Sequence, residues 1–257
     1  MKRKIDINCD LGESYGHFKV GQDSKIMPHI TSANVACGFH AGDPVAMAQT
    51  VKLAKKFGVA VGAHPGYPDL MGFGRREMKL NAEELKSYII YQVGALQAFA
   101  KASGTNLQHV KPHGALYNIA TRDKNIAGTI AEAVLSIDSN LIVLGPPHSM
   151  IAKTAGPKGL RLALEAFADR AYNPDGTLVS RSQPGSVIEE PELVMERARE
   201  MIEEGTVSAI SGETVHLGQI HTICVHGDTA NAVEMARILK TRLIAEKIDV
   251  KPVGSFL

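Results

Sequence analysis

The sequence contains no tryptophan and only 5% aromatic residues, so a sugar-binding groove built on aromatic platforms is not expected. Cysteine is scarce. Cys9, Cys37 and Cys224 are odd in number and far apart, which argues against a disulfide framework and suits a reducing compartment. Neither sign of charge dominates. Lys and Arg total 28 against 27 Asp and Glu, a formal net charge of +1, so the basic surplus of a nucleic-acid or membrane-surface binder is missing. No apolar run approaches the roughly 20 residues of a bilayer-spanning helix. The basic start Lys2-Arg3-Lys4 runs at once into Asp6, Asn8 and Asp10, which leaves no apolar stretch for an export signal, and a cytoplasmic protein is expected. Three signatures are lacking as well: a GxxxxGKS or GxxxxGKT phosphate loop, a GxGxxG turn after the first strand and a GxSxG nucleophile elbow.

What is present is an alternation. Short β-branched runs at Ile5–Cys9, Ile30–Ala36, Val59–Ala63, His109–Pro112, Leu141–Leu144, Arg161–Phe167 and Thr222–Val225 read as strands. Amphipathic stretches separate them. Asp43-Pro44 supplies an N-cap and a first-turn proline, and Asn81 with Glu84 makes a capping box before a helix that Gly104 stops. Asp123, Glu190-Pro191 and Asp228 open three further helices. Strands alternating with helices predict right-handed βαβ units around a parallel sheet of seven strands. Val207–Ile210 and Thr214–Leu217 predict a hairpin inserted before the last strand. No low-complexity tract or linker divides residues 1–257, which read as one domain. The long loops Pro65–Leu80 and Asp169–Glu190 are candidates for function.

Ionisable residues collect where the strands end. Asn8, Asp10 and Glu13 follow the first strand, His40 the second, His64 and Asp69 the third, and Lys111 and His113 the fourth. His148 follows the fifth, Glu165, Asp169 and Arg170 the sixth, and His226 and Asp228 the seventh. All carboxyl ends of a parallel sheet share one face, where such folds bind ligands. A single histidine after a strand is more often structural, and His17, His29, His109, His216 and His221 are read that way. Coincidence over six or seven strands favours a site. Asp10, His40 and His64, a carboxylate and two imidazoles on adjacent strand ends, suit a divalent metal, although no element carries two histidines at ligand spacing. Lys111 and His113, two apart, project to one side of their strand. Arg75, Arg76, Arg170 and Arg181 lie in the long loops and have the fork that grips carboxylate or phosphate. Cys37 and Cys224 sit near strand ends as nucleophiles or, more commonly, as packing residues.

Several long motifs resemble the LamB/YcsF family. They are Asn8-Cys-Asp-Leu-Gly-Glu13, Ala33-Asn-Val-Ala-Cys-Gly-Phe-His-Ala-Gly-Asp43, Gly62-Ala-His-Pro-Gly-Tyr-Pro-Asp69, Val110-Lys-Pro-His-Gly-Ala-Leu-Tyr117, Glu165-Ala-Phe-Ala-Asp-Arg-Ala-Tyr172 and Cys224-Val-His-Gly-Asp228. The resemblance spans essentially the whole chain. It implies a seven-stranded, distorted TIM-like β/α barrel of the glycoside hydrolase/deacetylase type. It implies the part of the A component in an ATP-dependent 5-oxoprolinase, which opens the lactam of 5-oxo-L-proline to L-glutamate with ATP as cosubstrate and with subunits B and C as partners. Related deacetylases imply a metal on Asp10, His40 and His64. On this reading Asp10 and Glu13 are acid/base carboxylates, Lys111 an electrophilic or phosphate-holding residue, and His113 a proton-transfer group. His40, His64, Glu165, Arg170 and His226 contact substrate, Arg170 through its carboxylate. Two alternatives stay open: an autonomous metal-dependent amidohydrolase or deacetylase, and a non-catalytic lactam-binding protein.

Overall fold

The first strand shows how the architecture arises. In β1 (Lys4–Leu11), Ile5, Ile7, Cys9 and Leu11 alternate with Asp6, Asn8 and Asp10. The apolar set joins the main hydrophobic core, which lies between the strands and the surrounding helices. Strand geometry sends the polar set to the opposite face. Here that face is the interior of a closed barrel. A computed structural model of the chain describes residues 3–227 and 231–257; Asp228, expected to cap the last helix, lies outside them.

Six more strands complete the barrel in chain order: β2 (Ser32–Ala36), β3 (Ala60–His64), β4 (Leu107–Val110), β5 (Ile142–Gly145) and β6 (Arg161–Phe167), then, after a hairpin of β7 (Thr206–Ser208) and β8 (Thr214–His216), β9 (Thr222–Val225). β1 to β6 pair in sequence, β6 pairs with β9, and β9 pairs back to β1, all in parallel, which closes a ring of seven strands. The hairpin is antiparallel, as expected. A short β10 (Asp249–Val250), not foreseen, runs parallel to the start of β1 outside the ring.

Helices follow in the order α1 (Asp23–Ile26), α2 (Pro44–Phe57), α3 (Ala82–Ala102), α4 (Gly114–Ala120), α5 (Lys124–Ile137), α6 (Met150–Ala155), α7 (Pro191–Glu203) and α8 (Ala232–Ala245). The long ones start where their caps put them. Asp43 accepts from the Ala46 N–H at 2.8 Å at the head of α2, and Asn81 and Glu84 form both halves of a capping box on α3. Met47, Thr50, Val51 and Ala54 bury one face of α2 against the barrel at helical spacing. Each large apolar side chain buried in this way contributes roughly 1.5–3 kcal/mol. The short helices α4 and α6 were not anticipated. α4 has no side-chain cap at His113, and both are too short to display a periodicity.

Two features of this frame fix the site. Gln92 in α3 accepts from the Gly66 N–H at 2.9 Å and donates to the Gly66 carbonyl at 3.0 Å, tying the 65–80 loop to a helix. Arg197 in α7 donates to the carbonyls of Ala168 at 3.1 Å and Arg170 at 2.9 Å, holding the head of the 169–190 loop.

Candidate active site

The carboxyl ends of the barrel strands surround a cavity of about 830 Å³, whose lining includes Asp10, Glu13, His64, Lys111, His113, Arg170 and His226. The fold thus brings these residues together from separate strand ends. His40 and Glu165 lie just beneath, fully buried.

Lys111 is the centre. Its ammonium lies 3.0 Å from Asp10 Oδ1, 2.9 Å from Glu165 Oε1, 3.2 Å from Asn8 Oδ1 and 3.0 Å from Cys224 Sγ. Burial works against the charged form of this lysine, but Asp10 and Glu165, with the Cys224 sulfur accepting a hydrogen bond, outweigh it and hold the Lys111 pKa well above its ordinary value. Burial likewise opposes ionisation of Asp10, and His64 and Lys111 overcome that, holding its carboxyl well below the usual range. The Cys224 thiol is pushed well up, chiefly by burial, so it serves as a neutral neighbour and not as a thiolate. Glu165 is held from its other side by the Tyr117 hydroxyl, which donates to Oε2 at 2.8 Å.

Beneath Lys111 runs a layer of amides. Asn34 Nδ2 donates to Asn8 Oδ1 at 2.7 Å and to Asp10 Oδ1 at 2.8 Å, and His109 Nε2 donates to Asn34 Oδ1 at 2.7 Å. His109 keeps the structural role expected of it. Gly62 makes room for its ring, since a Cβ there would stand 2.0 Å from His109 Nε2.

Beside the lysine centre lies a second group. Ligand atoms of Glu13, His40, His64 and His113 all fall within 4.8 Å of one another. The hydrogen bonds of this group leave its lone pairs unassigned. His64 Nδ1 faces the Lys111 carbonyl at 2.7 Å and His113 Nε2 faces the Phe73 carbonyl at 2.8 Å. Carbonyls only accept, so both nitrogens must carry protons. In neutral rings His64 Nε2 and His113 Nδ1 then meet lone pair to lone pair at 2.9 Å. His40 lies stacked on His113, ring centroids 3.8 Å apart, and neither of its buried ring nitrogens has a hydrogen-bond partner among the described residues. Burial first, then the neighbouring imidazoles, keeps His40 and His113 well below their usual pKa, in the neutral, ligating form. Unassigned lone pairs on His40 and His113, with the His64 ring and the Glu13 carboxylate alongside, fit a divalent cation. The group contains His40 and His64 of the expected metal trio. Asp10, the third member, touches it through His64 Nε2 at 3.4 Å and places Oδ1 on Lys111 and Asn34. The loop over this group packs closely: Gly74, at φ +63°, lies where a Cβ would approach His40 Cβ to 2.6 Å.

At the far wall, His226 Nδ1 sits 2.7 Å from Asp169 Oδ2, a dyad whose imidazole lines the cavity. Burial raises the Asp169 pKa, but His226 dominates and the carboxyl stays below its ordinary range. Arg170 lines the cavity while its guanidinium donates to the carbonyls of Ser186 at 3.1 Å and Val179 at 2.6 Å. Among the other loop arginines, Arg76 pairs with Asp69, whereas Arg75 and Arg181 line the cavity.

Sequence reasoning gave Asn8 no role and missed Asn34, Tyr117 and Asp6 as members of this interior. The signal was there for three of the four: polar residues at every second position of an otherwise apolar β1, and Asn34 within β2.

A closed β/α barrel with buried carboxylates, a lysine and imidazoles at the carboxyl mouth of its strands defines the class: a barrel with the apparatus of a hydrolase site. Comparison with known proteins narrows it, and the chain belongs to the LamB/YcsF family, which it matches over residues 5–257. It is 55% identical over 254 residues to the protein of Pyrococcus furiosus named as the A component of 5-oxoprolinase, covering 99% of both chains. A crystal structure of a lactam utilization protein from Thermus thermophilus superposes with a TM-score of 0.91 at 49% identity, covering 96% of this chain and 99% of that one. At 10% identity, the catalytic domain of a peptidoglycan N-acetylglucosamine deacetylase from Eubacterium rectale shares the fold alone, with a TM-score of 0.50 over 98% of this chain and 89% of that one.

Proposed function

We propose that the chain is the A component of an ATP-dependent 5-oxoprolinase, which opens the lactam of 5-oxo-L-proline to L-glutamate in a complex with subunits B and C. The observation that carries this reading is the buried Lys111 bridging Asp10 and Glu165 at the floor of the cavity, in a chain whose full-length relatives bear that name. A lactam carbonyl is a weak electrophile. Opening it requires a base for water, positive charge where the oxyanion develops and a proton for the departing nitrogen.

The site holds a group for each. Asp10, ionised and at the cavity edge, takes a proton from water as its oxygen bonds to the lactam carbon. Lys111 Nζ is the positive charge beside the developing oxyanion, and Glu165 and Tyr117 keep that ammonium in place. The ring C–N bond then breaks as a proton reaches nitrogen. His226, oriented by Asp169, delivers it, whereas His113, neutral and with its N–H on the Phe73 carbonyl, has no proton to give there. Product glutamate leaves with a new carboxylate and a free amine. Arg170 and Arg181 at the wall are the groups for the substrate's own carboxylate. ATP enters by transferring its terminal phosphoryl group to the lactam oxygen as ADP leaves; the water step above then opens the ring to an acyl phosphate, and a second water releases phosphate and leaves the new carboxylate. Since the chain carries no phosphate-loop motif, we assign nucleotide binding to one of the partners. A divalent metal would be held by Glu13, His40, His64 and His113, and when bound it would supply Lewis-acid polarisation of a carbonyl.

The test is glutamate release from 5-oxoproline and ATP by the assembled complex. Asp10→Asn and Lys111→Ala are each expected to lower turnover at least about 10³-fold, as loss of a principal charge in such sites does. Normal turnover in both variants removes these roles. Amide hydrolysis by the chain alone, without ATP, would instead favour the autonomous deacetylase reading, which the shared barrel keeps in view.

A further inference from the structure

One buried acidic group has no part in the steps above. Asp6 is fully buried on the interior face of β1, four residues below Asp10. Three hydroxyls donate to it: Thr31 and Ser32 to Oδ1, each at 2.7 Å, and Thr222 to Oδ2 at 2.5 Å. A carboxylate accepts only, so the single Thr222 proton points down to Asp6. That leaves Thr222 Oγ1 as acceptor on its upper side, where Asn8 Nδ2 donates to it at 2.7 Å. The second Asn8 amide proton goes to Glu165 Oε1 at 2.9 Å. Asn8 Oδ1 must therefore face Lys111 Nζ at 3.2 Å and Asn34 Nδ2 at 2.7 Å.

We propose that Thr222 is a positioning residue: with its hydroxyl polarised by Asp6, it fixes the donor–acceptor sense of the Asn8 amide and so holds Lys111 and Glu165 in register at the reaction centre. The opposite sense is self-defeating at every contact. A reversed Thr222 would turn Asn8 so that its amino group met the Lys111 ammonium and the Asn34 amino group. Its carbonyl would then meet the Glu165 carboxylate. Donors would oppose donors, and acceptors acceptors, in a water-free interior where an unmatched polar group is expensive. Register reinforces the relay, since Thr222 pairs with Asp6 on one side and with Glu165 on the other. The Asn8 amide thus lies between Lys111 and Glu165, and the Thr222 hydroxyl anchors from below the same sense that Lys111, Asn34 and Glu165 require from their side.

The proposal rests on the reading that Lys111 and Glu165 serve lactam opening, so the experiment has one arm that needs no activity. Thr222→Val removes the hydroxyl at nearly constant volume, and Thr222→Ser restores it. In protein labelled with ¹⁵N-asparagine, the Asn8 side-chain amide protons of the wild type should be slow to exchange and shifted by their two acceptors. Thr222→Val should abolish that signature and Thr222→Ser should retain it. In the assembled complex, Thr222→Val should lower kcat about ten- to hundredfold, the scale of a charge-linked hydrogen bond, with KM little changed. Thr222→Ser should recover most of the loss. A Thr222→Val protein that keeps both the amide signature and kcat overturns the proposal, as does a Thr222→Ser protein that folds but rescues neither. If the wild-type complex shows no lactam turnover, the functional reading fails alone, and the amide signals decide the relay by themselves.

Discussion

At the scale of single residues, the barrel interior carries charges whose burial opposes stability. Asp6 is the plainest case. Burial raises its pKa to about 6, although three hydroxyl hydrogen bonds pull the other way. An unfolded aspartate titrates near 4. Between about 4 and about 6 the folded chain therefore holds more protons than the unfolded one, and linkage makes the unfolding free energy fall as pH rises through that window. Asp6→Asn mimics the protonated side chain. Its melting temperature relative to the wild type is expected to rise from pH 4 to pH 7.5, on top of a pH-independent cost where the new amino group meets a hydroxyl donor, as thermal scans across this range would show. An equal shift at both pH values would mean that the Asp6 charge is not the cause. Stability relinquished at a buried carboxylate is consistent with a residue kept for what it polarises.

The Glu13, His40, His64 and His113 group leads to a second residue-scale outcome. Three imidazoles with one carboxylate favour borderline transition ions over magnesium or calcium, which prefer oxygen. Zinc or cobalt added to chelator-treated protein is expected to raise the melting temperature with concentration, as binding to the native state alone requires, whereas magnesium should not. His40→Ala should abolish the effect. A melting temperature indifferent to all three ions would leave the bare His40 nitrogens unexplained by metal.

At the scale of elements, the sequence is legible where one period is enforced over many residues. The seven barrel strands and the capped helices α3, α5 and α7, with the start of α2, fall within a few residues of their expected limits, because caps such as Asn81–Glu84 and stops such as Gly104 are local chemistry. The short helices α4 and α6 and the outer strand β10 are decided by tertiary packing and leave no periodic trace. Closure of the ring is equally hidden from periodicity: alternating strands and helices fit an open sheet as well, and only the pairing of β9 with β1 excludes it. In the site, charged residues at strand ends stood out. Asn34 did not, and Asn8, though placed at a strand end, was given no role, because an amide carries no charge and their part exists only where the barrel brings three strands together.

The 169–190 loop illustrates element-scale dependence. Its head carries Asp169 and Arg170, yet the group that anchors it is Arg197, one helix away and nearly buried. Arg197 also donates to the Ser208 carbonyl at 3.3 Å, so a single guanidinium ties the loop, α7 and the hairpin together. Arg197→Met would leave three carbonyls without their donor, at an expected cost of roughly 2–4 kcal/mol by denaturant titration. Because Asp169 orients His226, turnover should fall as well, while the melting-temperature response to zinc, which belongs to the other wall, should persist. Loss of both together would mean that the two walls move as one unit.

For the whole molecule, the barrel gathers polar side chains at the carboxyl ends of its strands while its main hydrophobic core lies between strands and helices. The result here is a cleft of about 830 Å³ with a lysine–carboxylate floor and an imidazole wall. The sequence lacks the glycine-rich loop feeding a helix N-terminus that commonly cradles a triphosphate, which is the ground for assigning the nucleotide to a partner. The division of labour proposed above then has a direct consequence. Incubated with ATP and 5-oxoproline, the chain alone is expected to release no phosphate and to show no calorimetric heat of ATP binding. Adding subunits B and C should produce phosphate and glutamate together, and Asp10→Asn in this chain should suppress glutamate in the same assembly. Tight ATP binding by the isolated chain would reverse the assignment and place the nucleotide in this barrel's own cleft, where Arg75 and Arg181 would be the first residues to replace.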